Sequence, residues 1–549
     1  MTRCNVCVMA LTAVLLLVFA PVSRSNDLKG REFQGASRIP SQFSEEEHVA
    51  MKEALKGAIQ IPTVSFSHEE SNTTALVEFG EYIREVFPTV FKTNFIQHEV
   101  VGNYSHLFTV QGSEPSLQPY MLLAHFDVVP APEEGWEVPP FSGLERDGFI
   151  HGRGTLDNKN SVMAILQALE LLLTRNYKPR RSFFIALGHD EEVEATHPKP
   201  ISRAPTGGGR YFNCTINCTL QNIGVMEKEP NREINDGVLF PGVPLCGQIT
   251  VLSGSQFLHC ENERGWVPPA LAFQYSVKQN CLRISVSEKG AIDLMLQVNT
   301  TSGHSSAPPK ETSIGILSAA VSRLEQTPMP NMFGSGLLKT ALQQMASEFP
   351  FPLNIVLSNL WLFQPLVSRI LEKNEMTNAM VRTTTALTMF NAGVKVNVIP
   401  PVAKATVNIR IHPTQTVTEV LELIKNIVAD DRVQFHVLKA FDPLPISPTD
   451  DQALGYQLLR QTIQSVFPEV NIVTPGTCIG NTDSRHYTNL TTGIYLFNPV
   501  YLQPQAFKSF HGVNEKISVQ AYQTQVKFIF ELIQNSDTDR KPIPHLHEL

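Results

Sequence analysis

The sequence predicts an α/β protein that carries a smaller, inserted α+β domain, and three features point that way. The chain has 549 residues, more than a single hydrophobic core usually organises. Its first half runs in a strand–helix–strand rhythm, the pattern of a sheet whose functional residues sit at the carboxyl ends of strands. That rhythm breaks, then starts afresh at Glu288 with a second set of strands and helices.

Glu45-Glu46-Glu47 followed by Val49, Met51, Leu55 and Ile59 predicts an amphipathic helix over about 45–60, and 75–87 predicts a second. Tyr-Met-Leu-Leu-Ala-His at 120–125 and Arg-Ser-Phe-Phe-Ile-Ala-Leu at 181–187 read as buried strands, with a helix over 161–173 between them. After Glu288 comes a strand at 291–298, then Gly303-His304-Ser305-Ser306 and a helix at 314–324. A strand at 405–411, a helix at 417–429 and a strand at 433–438 complete a second unit, making a small domain of ordinary size. Helices at 450–467 and 519–535 are placed to return to the first domain. No internal repeat is present.

The composition is that of a globular protein, 42% apolar and 17% charged, with a formal net charge of −8. That balance excludes a nucleic-acid partner, which needs a basic face. Arg3, the uncharged apolar run 8–20, and small residues at Ser23 and Ser25 predict a secretory signal over residues 1–25. The run is short for a membrane anchor, which takes roughly 20 apolar residues, and no second run of that length follows. An uncleaved anchor is the alternative; secretion to the extracellular space is the expectation. Sequons at Asn72, Asn103, Asn299 and Asn489 agree with it.

Three clusters carry the chemistry. His125-Phe126-Asp127 puts a histidine and a carboxylate on one side of a strand end, because side chains two apart share a face. An Asp so placed can fix the imidazole tautomer that frees the other ring nitrogen for a metal. The glycine-rich loop Gly152-Arg153-Gly154-Thr155-Leu156-Asp157 delivers a carboxylate at the start of a helix. The third cluster is Gly188-His189-Asp190-Glu191-Glu192, where adjacent carboxylates repel unless a cation lies between them. Taken singly, a His-x-Asp is an ordinary surface hydrogen bond and an acidic run an ordinary solvated loop. Taken together, they predict a metal site.

These blocks resemble the signature motifs of the di-zinc metallopeptidases that include aminoacylase, carnosinase and bacterial glutamate carboxypeptidase. Leu123-Ala124-His125-Phe126-Asp127-Val128-Val129-Pro130 and Gly152-Arg153-Gly154-Thr155-Leu156-Asp157-Asn158-Lys159 are similar to the first two motifs, and Phe510-His511-Gly512-Val513-Asn514-Glu515 to the last. The resemblance implies a zinc-peptidase catalytic domain over 26–287 and 441–549, with a dimerisation-type lid inserted at 288–440. It implies two zinc ions: Asp157 bridging them, His125 on one, Glu192 and His511 on the other. Asp127 would orient His125, and Glu191 would be the general base. His304 would stabilise the oxyanion, in cis or from the neighbouring subunit of a homodimer. Arg485, Asn397 and Arg410 match positions that hold a substrate carboxylate, although Arg410 also reads as a strand-face ion pair and Asn397 as the start of a turn. Thr301-Ser302-Gly303-His304-Ser305-Ser306-Ala307-Pro308-Pro309 and Gly480-Asn481-Thr482-Asp483-Ser484-Arg485 resemble the branch that acts on N-fatty-acyl amino acids. The partners implied are then an N-acyl amino acid, a fatty acid and an amino acid. A carboxypeptidase or dipeptidase acting on small peptides, or an impaired homologue, is the competing reading.

One stretch departs from the family pattern. Over 194–281 the expected helix, strand and acidic motif give way to Ala195-Thr196-His197-Pro198-Lys199-Pro200, Gly207-Gly208-Gly209 and the cysteines Cys214, Cys218, Cys246, Cys260 and Cys281. A disulfide-stapled insertion, a zinc knuckle and an alternatively spliced or non-native replacement are the available readings. The last is favoured, because the stretch takes the place of an expected element. The zinc held by His125 and Asp157 would then lack its third ligand, with Asp236 the one Asp able to substitute.

Overall fold

A computed structural model describes residues 38–67, 70–193, 248–251, 281–500 and 509–537. The expected signal segment 1–25 and nearly all of 194–281, including Asp236, lie outside the described residues.

The larger layer is an eight-stranded mixed sheet drawn from both ends of the chain. Its order is Ile472–Cys478, Cys281–Glu288, Ile494–Leu496, Gln248–Val251, Tyr120–His125, Phe183–Gly188, Ser105–Val110, Ile96–Val101. The central strand Tyr120–His125 runs parallel to both of its neighbours, Phe183–Gly188 and Gln248–Val251. Its alternate residues enter two different cores: Leu122 and Ala124 on one face, Met121 and Leu123 on the other. Burial on both faces is why this strand reads as an unbroken apolar run. Helix Lys159–Thr174 crosses between the strands and is buried along almost its whole length. Helices Glu45–Gln60, Leu454–Val466 and Val519–Asn535 supply further residues of the same core, including Leu55, Leu459 and Phe530.

The gap expected in this sheet does not exist. Gln248–Val251, inside the departing stretch, forms a strand that pairs parallel to Tyr120–His125 and to Ile494–Leu496. Its Ile-Thr-Val sequence has the β-branched character of a strand.

At Lys289 the chain leaves one sheet and enters another, for Cys281–Glu288 belongs to the first and Gly290–Asn299 to the second. Gly290 is needed there: a Cβ would lie 2.7 Å from both Phe441 O and Pro443 N on the returning strand. The second sheet is antiparallel, ordered Thr384–Ala392, Val402–Ile411, Gly290–Asn299, Val433–Phe441. One face (Ile292, Leu294, Leu296, Val298) packs on helices Ser313–Gln326 and Val417–Val428. Helices Leu337–Gln344, Leu353–Ser358, Leu360–Leu371 and Glu375–Val381 were not foreseen; they enclose a small core of their own around Phe333, Phe349, Leu357 and Val367. Among the described residues no helix is long and apolar enough to cross a membrane.

Of the four sequons, Asn103, Asn299 and Asn489 are exposed. Asn72 is half-buried and caps helix Thr73–Val86, accepting from Ala75 N while donating to Pro62 O.

Candidate metal centre

Two parallel strands end side by side, with His125 in register with Gly188 and Phe126 N donating to Gly188 O at 3.0 Å. This alignment brings His125 and the Glu191-Glu192 pair together at the carboxyl ends of two interior strands. Asp127, fully buried, joins them: its carboxylate lies 3.3 Å from His125 Nδ1 and accepts from Glu191 N at 3.2 Å and Glu192 N at 3.0 Å. The loop before helix Lys159–Thr174 adds Asp157, and the loop before Lys516–Ser518 adds His511.

Asp157 stands between two imidazoles. His125 Nε2 is 3.3 Å from its Oδ1, and His511 Nε2 is 3.2 Å from its Oδ2. His511 Nε2 also lies 3.2 Å from Glu192 Oε2, and His125 Nε2 lies 3.7 Å from Glu191 Oε2. Tetrahedral zinc with ligands at about 2.0–2.1 Å places neighbouring donor atoms roughly 3.3 Å apart, so these edges fit a cation. A second sign is Glu192 Oε1, a buried carboxylate oxygen that receives no hydrogen bond. His125, Asp157 and Glu192 can each turn a ligand atom to a common point, the atoms all within 4.8 Å of one another.

The electrostatics match that donor set. Burial raises the Glu191 pKa well above the usual carboxylate range and pushes Glu192 up to about 7, with Glu192 and Asp157 respectively adding repulsion. Burial works against charge on His125, yet Glu191, Asp127 and Asp157 outweigh it and hold its pKa well above the imidazole norm. Hydrogen bonds to Asp157 and Glu192 lift His511 to about 10. Asp157 is held low, since its two imidazoles overcome its burial. A divalent cation would stabilise the ionised carboxylates and displace the imidazole protons.

The positions matched to carboxylate and oxyanion binding fall into two groups. Arg410, on Val402–Ile411, donates to Asn481, whose own amide donates to Lys289 O. Arg485 lies four residues past Asn481, in the short 3-10 helix Asp483–Tyr487, its guanidinium 5.2 Å from the Phe441 ring centre. Beside it, Asp483 is pushed up to about 7 by burial and by Asp190. Gly188 makes room for it: a Cβ there would sit 2.9 Å from Asp483 Oδ2. His304 and Asn397 form the second group, both exposed on a two-stranded ribbon in which Gly303–His304 pairs with Val398–Ile399. His304 Nδ1 is 2.8 Å from Ser306 Oγ, and Asn397 O accepts from Ser305 N at 3.2 Å. The partners of this group belong to the ribbon, not to the cation cluster.

Three residues at the site escaped the sequence reading: Asp483, Glu288 and Glu515. The last two are buried carboxylates that bond backbone and hydroxyl donors of the site loops. Glu288 marked a boundary and Glu515 lay inside a quoted motif, but neither carried a local sign of its role.

A sheet with this donor set at its strand ends and a second, smaller sheet bearing cationic side chains is the build of a metal-dependent hydrolase. The chain belongs to peptidase family M20/M25/M40, whose model matches residues 121–535. It is 68% identical over 549 residues to the N-fatty-acyl-amino acid synthase/hydrolase PM20D1 of Bos taurus, covering 100% of each chain. It is 33% identical over 530 residues to the probable carboxypeptidase S-like 2 of Dictyostelium discoideum, covering 95% of this chain and 92% of that one. Among solved structures it is similar to human carnosine dipeptidase 1, at 13% identity and a TM-score of 0.60, covering 90% of this chain and 97% of that one. That likeness carries the fold.

Proposed function

We propose that this chain is a secreted, zinc-dependent amidohydrolase that cleaves N-fatty-acyl amino acids into fatty acid and amino acid and forms them in reverse. The observation that carries the reading is the Asp157 carboxylate, shared between His125 on one side and His511 with Glu192 on the other. The lipid substrate is taken from the relative that is 68% identical over the full chain.

Asp157, Glu192 and His511 would hold one zinc ion, and His125 with Asp157 the other. Bound there, zinc supplies a polarised carbonyl and a water acidic enough to attack at neutral pH. Glu191 Oε2 takes a proton from the attacking water and returns it to the leaving amide nitrogen. The water oxygen ends in the fatty carboxylate, and its protons end on the amine. Condensation is the same transfer run backward. Asp127 keeps the His125 Nε2 turned to the site. Arg485 and Arg410 hold the substrate's carboxylate; Asn397 joins them, and His304 stabilises the oxyanion, from the lid of their own chain or of a homodimer partner. The first zinc has three protein ligands, the usual number for a catalytic ion. The second would have two among the described residues; Asp236, the one Asp of the 194–281 stretch able to substitute for a third, lies outside them. Secretion rests on the segment 1–25.

Glu191→Gln is expected to lower turnover at least ~100-fold while the purified protein keeps its zinc, read by product release and elemental analysis. Unchanged turnover, or a wild-type protein that binds no zinc, rejects the mechanism. Small peptides are the competing substrate, suggested by the carboxypeptidase-named relative; faster cleavage of a dipeptide than of a long-chain N-acyl amino acid would favour them.

A further inference from the structure

Glu515 is fully buried, four residues beyond His511 in the chain and facing the loop that carries Asp157. The two loops meet through a short ladder in which Lys516 pairs with His151, and Gly152 N donates to Glu515 O at 2.9 Å. Above that ladder the Glu515 side chain gathers the backbone of the Asp157 loop. Its Oε1 accepts from Gly154 N at 3.1 Å, Leu156 N at 2.6 Å and Asp157 N at 3.2 Å. Its Oε2 takes Arg153 Nη1 at 2.6 Å, and Arg153 Nη2 donates to Gly512 O at 2.8 Å, next to His511. One anion therefore receives three amides of one loop and a guanidinium that grips the other.

We propose that Glu515 is a positioning residue for the metal centre: its carboxylate clamps the 152–158 loop to the 509–515 loop and so fixes the separation of Asp157 and His511. The inference rests on the metal-centre reading above. A cluster of convergent N–H groups selects an acceptor-only anion. An amide in its place turns one oxygen into a donor that faces other donors, and it leaves Arg153 buried without its countercharge. The loops would then settle apart by a small distance, and a ligand pair set 3.2 Å apart tolerates little of that.

The test uses the full chain. Zinc affinity is measured by chelator competition, and the visible absorption of the cobalt(II)-substituted protein reports ligand geometry. Glu515→Gln is expected to weaken zinc binding about 10- to 100-fold, the range seen when groups supporting metal ligands are replaced, and to alter the cobalt spectrum. A purely structural role lowers the melting temperature of the metal-free protein without moving either readout. A loss smaller than tenfold, or an unchanged cobalt spectrum, overturns the proposal. If Glu515→Gln does not fold, Arg153→Met combined with Glu515→Gln removes the unpaired buried cation and is judged by the same criteria. Failure of the wild-type protein to bind zinc would instead defeat the underlying metal-centre reading.

Discussion

His98 and His106 lie next to each other on the hairpin at the sheet edge, Nε2 to Nδ1 at 2.9 Å, their rings stacked. Burial first, and Arg84 beside them, hold their pKa values down to about 4 and about 3. Below the ordinary histidine value near 6.5 the unfolded chain takes up protons that this pair refuses. The stabilisation is therefore complete above about pH 6.5 and is lost as pH falls toward 4. His106→Gln keeps a polar group but removes one titration, so the drop in urea midpoint between pH 7 and pH 5 should be smaller than in the wild type. Equal drops in both proteins would dismiss the pair as the source of acid sensitivity. The same scale separates what the sequence disclosed from what it hid. His125, Asp127, Asp157, Glu191, Glu192 and His511 were legible because each sits at a strand or loop end within a recognisable run. Glu515 and Asp483 were not, because their partners lie in remote parts of the chain and only folding brings them together.

Among the elements, the segment 480–485 depends on the junction between the sheets. Glu288, the last residue of Cys281–Glu288, is buried and accepts from Thr482 N at 3.2 Å, Thr482 Oγ1 at 2.5 Å and Ser484 Oγ at 3.0 Å. Those bonds hold the turn that carries Arg485. The neighbouring Lys289, also buried, donates to Arg382 O, just ahead of strand Thr384–Ala392 in the second sheet. Glu288→Ala would remove an acceptor shared by two hydroxyls and an amide. Thr482 Oγ1 and Ser484 Oγ can still bond each other at 2.9 Å, so one hydroxyl and the Thr482 amide are left unpaired, at about 1–3 kcal/mol each. Because Arg485 is the proposed carboxylate ligand, the expected result is a KM raised about tenfold or more with zinc content intact. A change confined to zinc content would place Glu288 with the metal instead. Most elements around this junction were readable from period alone, and helix Val519–Asn535 coincides with its expected range. The helices over 337–381 carry a weak sequence signal because Pro350 and Pro352 separate short pieces, Pro365 sits inside a continuous helix, and that helix, Leu360–Leu371, has apolar residues on several sides. The Gln248–Val251 strand was missed because the stretch around it was read as a single replaced unit.

For the whole molecule, the candidate metal centre is one of the places where the two ends of the chain meet, with His125 from the first part and His511 from the last. Its carboxylates would otherwise repel across that seam, so a bound cation should stabilise the assembled fold as well as the chemistry. The benefit depends on pH in a direction the site itself sets. Without a cation, burial keeps Glu192 protonated up to about 7, and Asp157 and Glu192 keep the His511 proton up to about 10. A raised carboxyl makes the metal-free protein less stable as pH climbs from about 4.5 to about 7, because the unfolded chain releases that proton first. The raised His511 contributes stability that is full below about 6.5 and is lost as pH rises toward 10. A divalent cation must displace both protons to bind, so its affinity increases over the same range. The difference in melting temperature between zinc-loaded and chelator-treated protein should therefore be small near pH 5 and widen through pH 7 to pH 8. The histidine pair at the sheet edge titrates in both samples and cancels in that difference. A gap that stays constant from pH 5 to pH 8 would mean that these side chains do not exchange protons for a cation.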